Sequence, residues 1–131
     1  MKQLNELVTD KDVFDYASSF LIKQNKKSTA DDVGCAYRGD ENEKCAIGCI
    51  IDDKFYHPSM EKQTAYDYKI QWAISYSLPK YTINEKFLSK LQEIHDGFEP
   101  ELWKVNFSRF QFSPEGNFES VKEEEVEYGT L

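Results

Sequence analysis

The sequence lacks an apolar run anywhere near the roughly 20 residues that a membrane-spanning helix needs. Its first residues, Met1–Glu6, also lack the apolar stretch of a signal peptide. It contains no glycine-rich phosphate loop, no Gly-x-Ser-x-Gly elbow and no His-Glu-x-x-His motif. We therefore expect a cytoplasmic protein that does not act at a membrane and carries none of these catalytic motifs.

Positive charge is also scarce, since the 131 residues carry a net charge of −8. The surplus is concentrated in residues 112–131, which hold six acids and one base. Nucleic-acid and anionic membrane surfaces require clustered lysine and arginine, so direct binding to either is not expected. We predict one globular domain over residues 1–118 and an acidic tail over residues 119–131; the sequence does not indicate an oligomeric state.

Aromatic residues make up 15% of the chain, enough to build a core from few positions. The pattern of apolar residues and caps predicts an α+β fold, with about four helices packed around a short antiparallel hairpin. The predicted helices run from Asp10, capped by Thr9, to residue 24; from residue 59 or 64 to Ser77; from a capping box at Thr82–Glu85 to Gly97; and onward from Pro100. Ser113–Asn117 reads as a turn.

We place the hairpin at residues 33–51, with arms at Cys35–Arg38 and Lys44–Ile51. The second arm is apolar on both faces, so a short buried helix is the alternative. Gly48 within that arm indicates close approach by a neighbouring backbone.

Three cysteines are an odd number, which favours free thiols over a disulfide framework in a reducing compartment. No cofactor is predicted. A zinc site is the alternative, with ligands drawn from Cys35, Cys45, Cys49 and either His57 or His95. The structural interpretation is that these thiols act as small buried apolar groups.

A second alternative is a small enzyme in which His95 activates Cys45 or Cys49. Sequence neighbours on a helix point apart, so Asp96 is not expected to orient His95. The structural interpretation makes His95 a core histidine bonded to a backbone carbonyl.

Another candidate is a loop built by Tyr37, Arg38, Asp52, Asp53 and Glu61. Arg38 is expected to pair bidentately with one of these carboxylates and to fix residues 52–61 against the hairpin. The pair then serves either the fold or an anion or ligand pocket.

Four segments together form a distinctive pattern: Cys35–Arg38 (C-x-Y-R), Lys44–Cys49 (K-C-A-I-G-C), Tyr56–Glu61 (Y-x-P-x-x-E) and Leu91–Asp96 (L-Q-x-I-H-D). This pattern resembles a family of small proteins of tailed phages and of phage-derived bacterial genes, to which no biochemical function is attached. The resemblance implies an accessory protein that acts without catalysis by binding a host protein in the host cytoplasm, as in host take-over or anti-defence. Abundant aromatic residues agree with this expectation because they make good interface anchors.

Overall fold

The computed structural model describes residues 2–31 and 34–123 of the chain. In that part, four α-helices pack with two separate two-stranded antiparallel sheets, which confirms the α+β class. The helices are α1 (Asp10–Gln24), α2 (Tyr68–Ser77), α3 (Glu85–Gly97) and α4 (Trp103–Phe107); the strands are β1 (Thr29–Ala30), β2 (Gly34–Cys35), β3 (Phe110–Phe112) and β4 (Phe118–Val121). Short 3₁₀ turns connect them at Leu4–Glu6, Gly48–Ile50, Asp53–Phe55, Pro58–Met60 and Pro100–Leu102.

Helix α1 has the predicted boundaries and the predicted cap. The Thr9 hydroxyl accepts a hydrogen bond from the Asp12 amide, and the Asp12 carboxylate bonds back to the Thr9 amide. This reciprocal arrangement satisfies amides that the first helical turn leaves without partners. The apolar side of the helix buries Val13, Ala17 and Leu21.

Helix α3 also follows the prediction along its length but not at its cap. Its buried face consists of Phe87, Leu88, Leu91, Ile94 and His95. The capping residue is Asn84, whose side chain accepts from the Phe87 amide, so the predicted capping box at Thr82 is wrong. An asparagine oxygen caps as well as a threonine hydroxyl, which explains the shift of two residues.

Helix α2 begins later than predicted because the chain before it turns repeatedly. Pro58–Met60 forms its own 3₁₀ turn, and Lys62 has a left-handed backbone with φ of 70°. Asp67 then caps the helix by accepting from the Lys69 amide. Tyr66 therefore lies before the helix and is exposed.

The hairpin predicted at residues 33–51 is wrong, apart from a single antiparallel bridge between Arg38 and Lys44. The buried segment after Lys44 turns into the 3₁₀ helix Gly48–Ile50, so the helical alternative is nearer the structure. A Cβ on Gly48 would lie 2.3 Å from the Tyr37 carbonyl oxygen, which confirms the predicted close backbone approach. The two sheets form elsewhere, as β1–β2 and β3–β4.

The C-terminal region starts as predicted, with Pro100 opening a 3₁₀ turn that leads into α4. Trp103, Phe107 and Phe110 are buried, but Leu102 and Val105 are half exposed and do not belong to the core. The predicted turn joins β3 to β4. Strand β4 crosses the predicted start of the acidic tail at residue 119, and residues 124–131 lie outside the described part of the chain.

A buried carboxylate holds the C-terminal hairpin against α1. Asp10 accepts hydrogen bonds from the Tyr81 hydroxyl at 2.6 Å, the Phe118 amide at 2.8 Å and the Asn84 side-chain amide at 3.1 Å. Burial and the neighbouring Asp10 both raise the pKa of Tyr81, so its hydroxyl keeps the proton that it donates. The contact links residues far apart in sequence, and it adds to the favourable interaction of Asp10 with the helix dipole at the start of α1.

Candidate functional site

The histidine of α3 is fully buried, and its tautomer follows from its partners. His95 Nε2 accepts a hydrogen bond from the Ser28 amide at 3.0 Å. Nδ1 of the neutral ring must then carry the proton, and it lies 2.8 Å from Asp96 Oδ1. His95 therefore bonds a backbone amide and not the expected carbonyl, and Asp96 does orient it, contrary to prediction. The ring also stacks on Trp103 with 5.4 Å between the centroids.

The Asp96 carboxylate stands at the surface end of this buried chain of hydrogen bonds. Burial by itself raises its pKa, but hydrogen bonds from His95, Gln92 and Cys35 outweigh burial and hold the pKa below its usual value. The Gln92 side-chain amide lies 2.8 Å from Oδ1. Asp96 is therefore ionised at neutral pH.

The three thiols do not have the character of nucleophiles. Burial raises the pKa of Cys45 to about 12 and also raises that of Cys49. Cys45 Sγ accepts from the Gly48 amide, and Cys49 Sγ donates to the Ala46 carbonyl. Cys35 is exposed, but partial desolvation and the adjacent Asp96 charge raise its pKa too. Thiol attack requires the thiolate, so these surroundings disfavour a cysteine-dependent enzyme.

Only part of the predicted zinc set comes together. In the part of the chain that the structure describes, one group of three potential ligands converges: Cys35, His95 and Asp96, with ligand atoms within 4.8 Å of one another. Cys45 and Cys49 bond to backbone groups instead. The predicted alternative ligand, His57, uses Nδ1 to accept from the Ser59 amide and caps the turn Pro58–Met60.

Arg38 binds mainly to backbone carbonyls. Its guanidinium donates to the oxygens of Gly48 at 2.8 Å and Ile51 at 2.9 Å, and it pairs with Asp53 at 3.0 Å. One Asp53 oxygen takes part, so the expected bidentate pair is not formed. The guanidinium also lies over the Tyr56 ring, 4.7 Å from its centroid. Arg38 thereby ties the 3₁₀ turn Gly48–Ile50 to the following loop.

The remaining residues of the predicted loop bind the backbone as well. Glu61 accepts from the amides of Tyr37 at 2.9 Å and Arg38 at 3.1 Å, and from the Tyr56 hydroxyl at 2.6 Å. Burial and this carboxylate raise the pKa of Tyr56 to about 12. Asp52 caps the 3₁₀ turn that follows it. These contacts fix the loop, which is the structural role weighed for this set.

A cleft of about 700 Å³ opens beside Asp96. Its lining includes two thiols, two tyrosine rings and one carboxylate of α3: Cys35, Cys45, Tyr37, Tyr66 and Asp96. Clefts of this volume accommodate small ligands or a few side chains of a partner.

A second surface of note is the outer side of α2. Tyr68, Trp72 and Tyr76 follow one another at intervals of four residues and are 75%, 49% and 57% exposed. Residues four apart lie on the same side of a helix, so the three side chains form one stripe, which we call the aromatic face. Phe55 packs beside it, with ring centroids 5.9 Å from Trp72 and 5.5 Å from Tyr76.

Comparison with known proteins returns no match, whether to a protein-family model, a curated protein or a solved structure. The cleft beside Asp96 and the aromatic face of α2 are therefore the features that bear on function. Within residues 2–31 and 34–123, no helix combines the length and apolar character that crossing a membrane requires.

Sequence reasoning missed Asp96 and the aromatic face as functional candidates. The aromatic face could have been predicted from the sequence. Its residues recur every four positions, as on one side of a helix, while Ile70 and Ile74 occupy the opposite, buried side. Asp96 gave no comparable signal, because its role depends on Cys35 and His95 meeting in the fold.

Proposed function

We propose that this chain is a non-enzymatic binding protein that engages a partner protein through the aromatic face of α2. The sequence resemblance adds the expectation that the partner is a bacterial host protein met by a phage-type factor. The observation that carries the proposal is the exposure of Tyr68, Trp72 and Tyr76 on one helix side. Tyrosine and tryptophan are the residues most enriched among those that dominate binding energy at interfaces.

The composition of this side of α2 is unusual for a solvent-facing helix. Ser75 is the other exposed residue of the helix, and the one charged residue within it, Lys69, is partly exposed three positions before Trp72. Exposed helix faces are normally charged or polar. With roughly 220 Å² of surface per aromatic side chain, the exposed fractions leave about 400 Å² of aromatic surface in solvent. That is about half of one partner's share of a standard interface, which is roughly 800 Å².

The surroundings of the aromatic face supply rigidity and further contact area. The rings of Trp72 and Tyr76 have centroids 4.7 Å apart, and Phe55 meets Trp72 edge to face. Mutual packing restricts these rings before binding, which lowers the entropic cost of ordering them in a complex. A groove of about 310 Å³ adjoins them, lined by Phe55, Tyr76, Asp52 and Lys54 among others. A partner side chain seated there extends the interface beyond the stripe.

A different protein is a better occupant of this face than a second copy of the chain. Each copy carries a net charge of −8, and a net charge far from zero opposes self-association. Sedimentation velocity of the purified chain tests this choice directly. A monomer at tens of micromolar agrees with a heterologous partner, whereas a dimer that Trp72→Ala dissolves would assign the face to self-association.

The experiment compares three versions of the chain as baits in bacterial host lysate. Trp72→Ala is the test variant, and Ile22→Ala removes a similarly exposed apolar residue from α1 as the matched control. We expect a partner that mass spectrometry identifies with wild type and Ile22→Ala and loses with Trp72→Ala. Calorimetry with the purified partner should then show binding weakened at least about tenfold by Trp72→Ala. Equal recovery by all three baits, or no specific partner, would refute the proposal.

A zinc-binding module remains a second proposal, supported by the convergence of Cys35, His95 and Asp96 within 4.8 Å. Three protein ligands and an open position are a recognised zinc arrangement. Coordination through His95 Nδ1 would move the ring proton to Nε2, where it faces the Ser28 amide and breaks that hydrogen bond. Elemental analysis should find about one zinc per chain if this proposal holds; no metal, with melting unchanged by chelator, would remove it.

A further inference from the structure

The cleft beside Asp96 is lined by three charged side chains, those of Lys62, Glu93 and Asp96. Three elements form it: the segment Cys35–Tyr37, the loop around residues 62–66 and the outer side of α3. Among the cleft residues, Glu93 already pairs with Lys90 on the same helix, at 3.4 Å. Asp96 differs because the groups that bond its carboxylate are all neutral.

Among the described residues, no lysine or arginine side chain pairs with the Asp96 carboxylate, and its one ion-pair contact is with the His95 ring at 2.8 Å. Its carboxylate receives hydrogen bonds from the His95 ring and the Gln92 amide, both on Oδ1. The nearby Lys27 reaches the main-chain oxygen of Asp96 and pairs with Glu99 instead. A half-buried carboxylate with neutral donors alone attracts a cation, because the surrounding protein screens its field less than water does.

The carboxylate is also held in place before any ligand arrives. His95 is fully buried, and the Ser28 amide fixes which of its nitrogens carries the proton. That proton points at Asp96, and Gln92 is anchored in turn because its carbonyl oxygen accepts from the Ile47 amide. Supporting contacts of this kind are what position a binding group accurately.

The walls of the cleft suit the stem of a cationic group. Tyr37 and Tyr66 contribute aromatic rings, and Ala65 and Ile47 contribute aliphatic surface. The Tyr37 hydroxyl already donates to the Gln63 carbonyl, and the Tyr66 hydroxyl accepts from Ser89. These two hydroxyls are thus already paired, while the charged groups of the lining are the ammonium of Lys62 and the carboxylates of Glu93 and Asp96.

We propose that this cleft binds a guanidinium or primary ammonium group carried on a short apolar stem. Asp96 accepts the N–H donors of the ligand while the tyrosine rings and aliphatic residues cover the stem. The chemistry is shared by a free amine and by an arginine or lysine side chain of a protein. This site is separate from the aromatic face, and its test does not depend on the function proposed above.

The test is a titration of the ¹⁵N-labelled chain followed by NMR, with three probes. Agmatine represents a free small molecule, N-acetyl-arginine amide represents a protein side chain, and N-acetyl-citrulline amide is the neutral isostere of the latter. We expect saturable shifts at the amides of Ala36, Ala65 and Gly97 with both cationic probes. The citrulline probe should bind at least about tenfold more weakly, because it lacks the charge that Asp96 recognises. The tighter of the two cationic probes identifies the source of the ligand, and either result supports the proposal.

Two variants isolate the carboxylate. Asp96→Asn keeps an oxygen for the His95 N–H but removes the charge, and it should weaken agmatine binding about tenfold to a hundredfold. Glu93→Gln removes the other carboxylate of the cleft and should change the affinity by no more than about twofold. Should Asp96→Asn fail to fold, Ala65→Lys provides an independent check, since its own ammonium is expected to occupy the cleft and exclude the probe.

Specific results would overturn the proposal. Equal affinity for the citrulline and arginine probes would show that charge is not recognised. Full binding by Asp96→Asn would show that this carboxylate is not the acceptor. Stoichiometric zinc that displaces agmatine and is lost with Cys35→Ser would assign the cleft to a metal instead.

Discussion

Replacing Asp10 with alanine is expected to destabilise the fold by about 3–5 kcal/mol, because one buried and two partly buried donors lose their acceptor. The Tyr81 hydroxyl, the Asn84 amide and the Phe118 amide all bond this carboxylate. Each unsatisfied donor costs about 1–3 kcal/mol, and partial access of water lowers the total. A helix-dipole interaction alone is worth only about 0.3–1 kcal/mol, so the magnitude separates the two roles of Asp10.

Urea unfolding at neutral pH, followed by circular dichroism, measures this effect. The matched control is Asp15→Ala, which removes an exposed carboxylate from the same helix and should change stability by less than about 0.5 kcal/mol. Hydrogen exchange at the Phe118 amide should accelerate in the Asp10 variant more than exchange in the middle of α3. A decrease in the free energy of unfolding of less than about 1 kcal/mol would refute this explanation and would leave Asp10 with the helix-dipole interaction alone.

Three further predictions concern the thiols and the tightest backbone contact. A disulfide reagent at pH 8 should titrate one thiol in the native chain, Cys35, and all three in denaturant; rapid native reaction of Cys45 or Cys49 would contradict their burial. Because burial raises the pKa of Cys45 to about 12, its contribution to stability is complete below the unfolded thiol pKa of about 8.5 and falls as pH rises towards the folded value. Above that unfolded pKa, the stability of the wild type should drop by about 1.4 kcal/mol per pH unit more steeply than that of Cys45→Ala; parallel pH profiles in urea unfolding would contradict this. Gly48→Ala should cost about 2–3 kcal/mol because a Cβ there meets a carbonyl oxygen at 2.3 Å, whereas Gly97→Ala, with open space around it, should be neutral or stabilising in thermal melts.

The helices could be predicted because their signals are local. In α1, the cap Thr9 and the buried positions Val13, Ala17 and Leu21 lie within a few turns of one another. Helix propensity, capping and amphipathic spacing all act over that distance. The error at the α3 cap is of the same local kind, since Thr82 and Asn84 are both good capping residues and the final geometry chooses between them.

The predicted hairpin failed because strand pairing depends on distant partners. Cys35 pairs with Thr29 in β1, and the apolar segment after Lys44 satisfies its backbone through turns and through contacts from Arg38. Strands of two residues have no periodicity that a sequence can display. The pairing within β3–β4 was equally hidden, although its turn at residues 113–117 was visible from composition.

The candidate sites could be predicted only in part for the same reason, because local sequence does not show which distant residues meet. The three cysteines were predicted as zinc ligands from their residue type alone. Of the three, only Cys35 lies beside His95 and Asp96 in the structure. The link between His95 and Asp96 contradicts the rule that helix neighbours diverge. That rule holds for exposed side chains that are free to extend outward, while here the Ser28 amide fixes the buried ring on its other side.

The bond from the Phe118 amide to Asp10 joins residues 108 positions apart. During synthesis, which proceeds from the N-terminus at about 5–20 residues per second, α1 leaves the ribosome many seconds before β4 has been made. Until then the Asp10 carboxylate has no strand amide to bind. The apolar side of α1 also remains uncovered, because the C-terminal phenylalanines that pack on it have not been made. We therefore expect native folding to be completed only once Phe118 has left the ribosome, and ribosome-bound chains stalled before Phe118 to remain sensitive to protease.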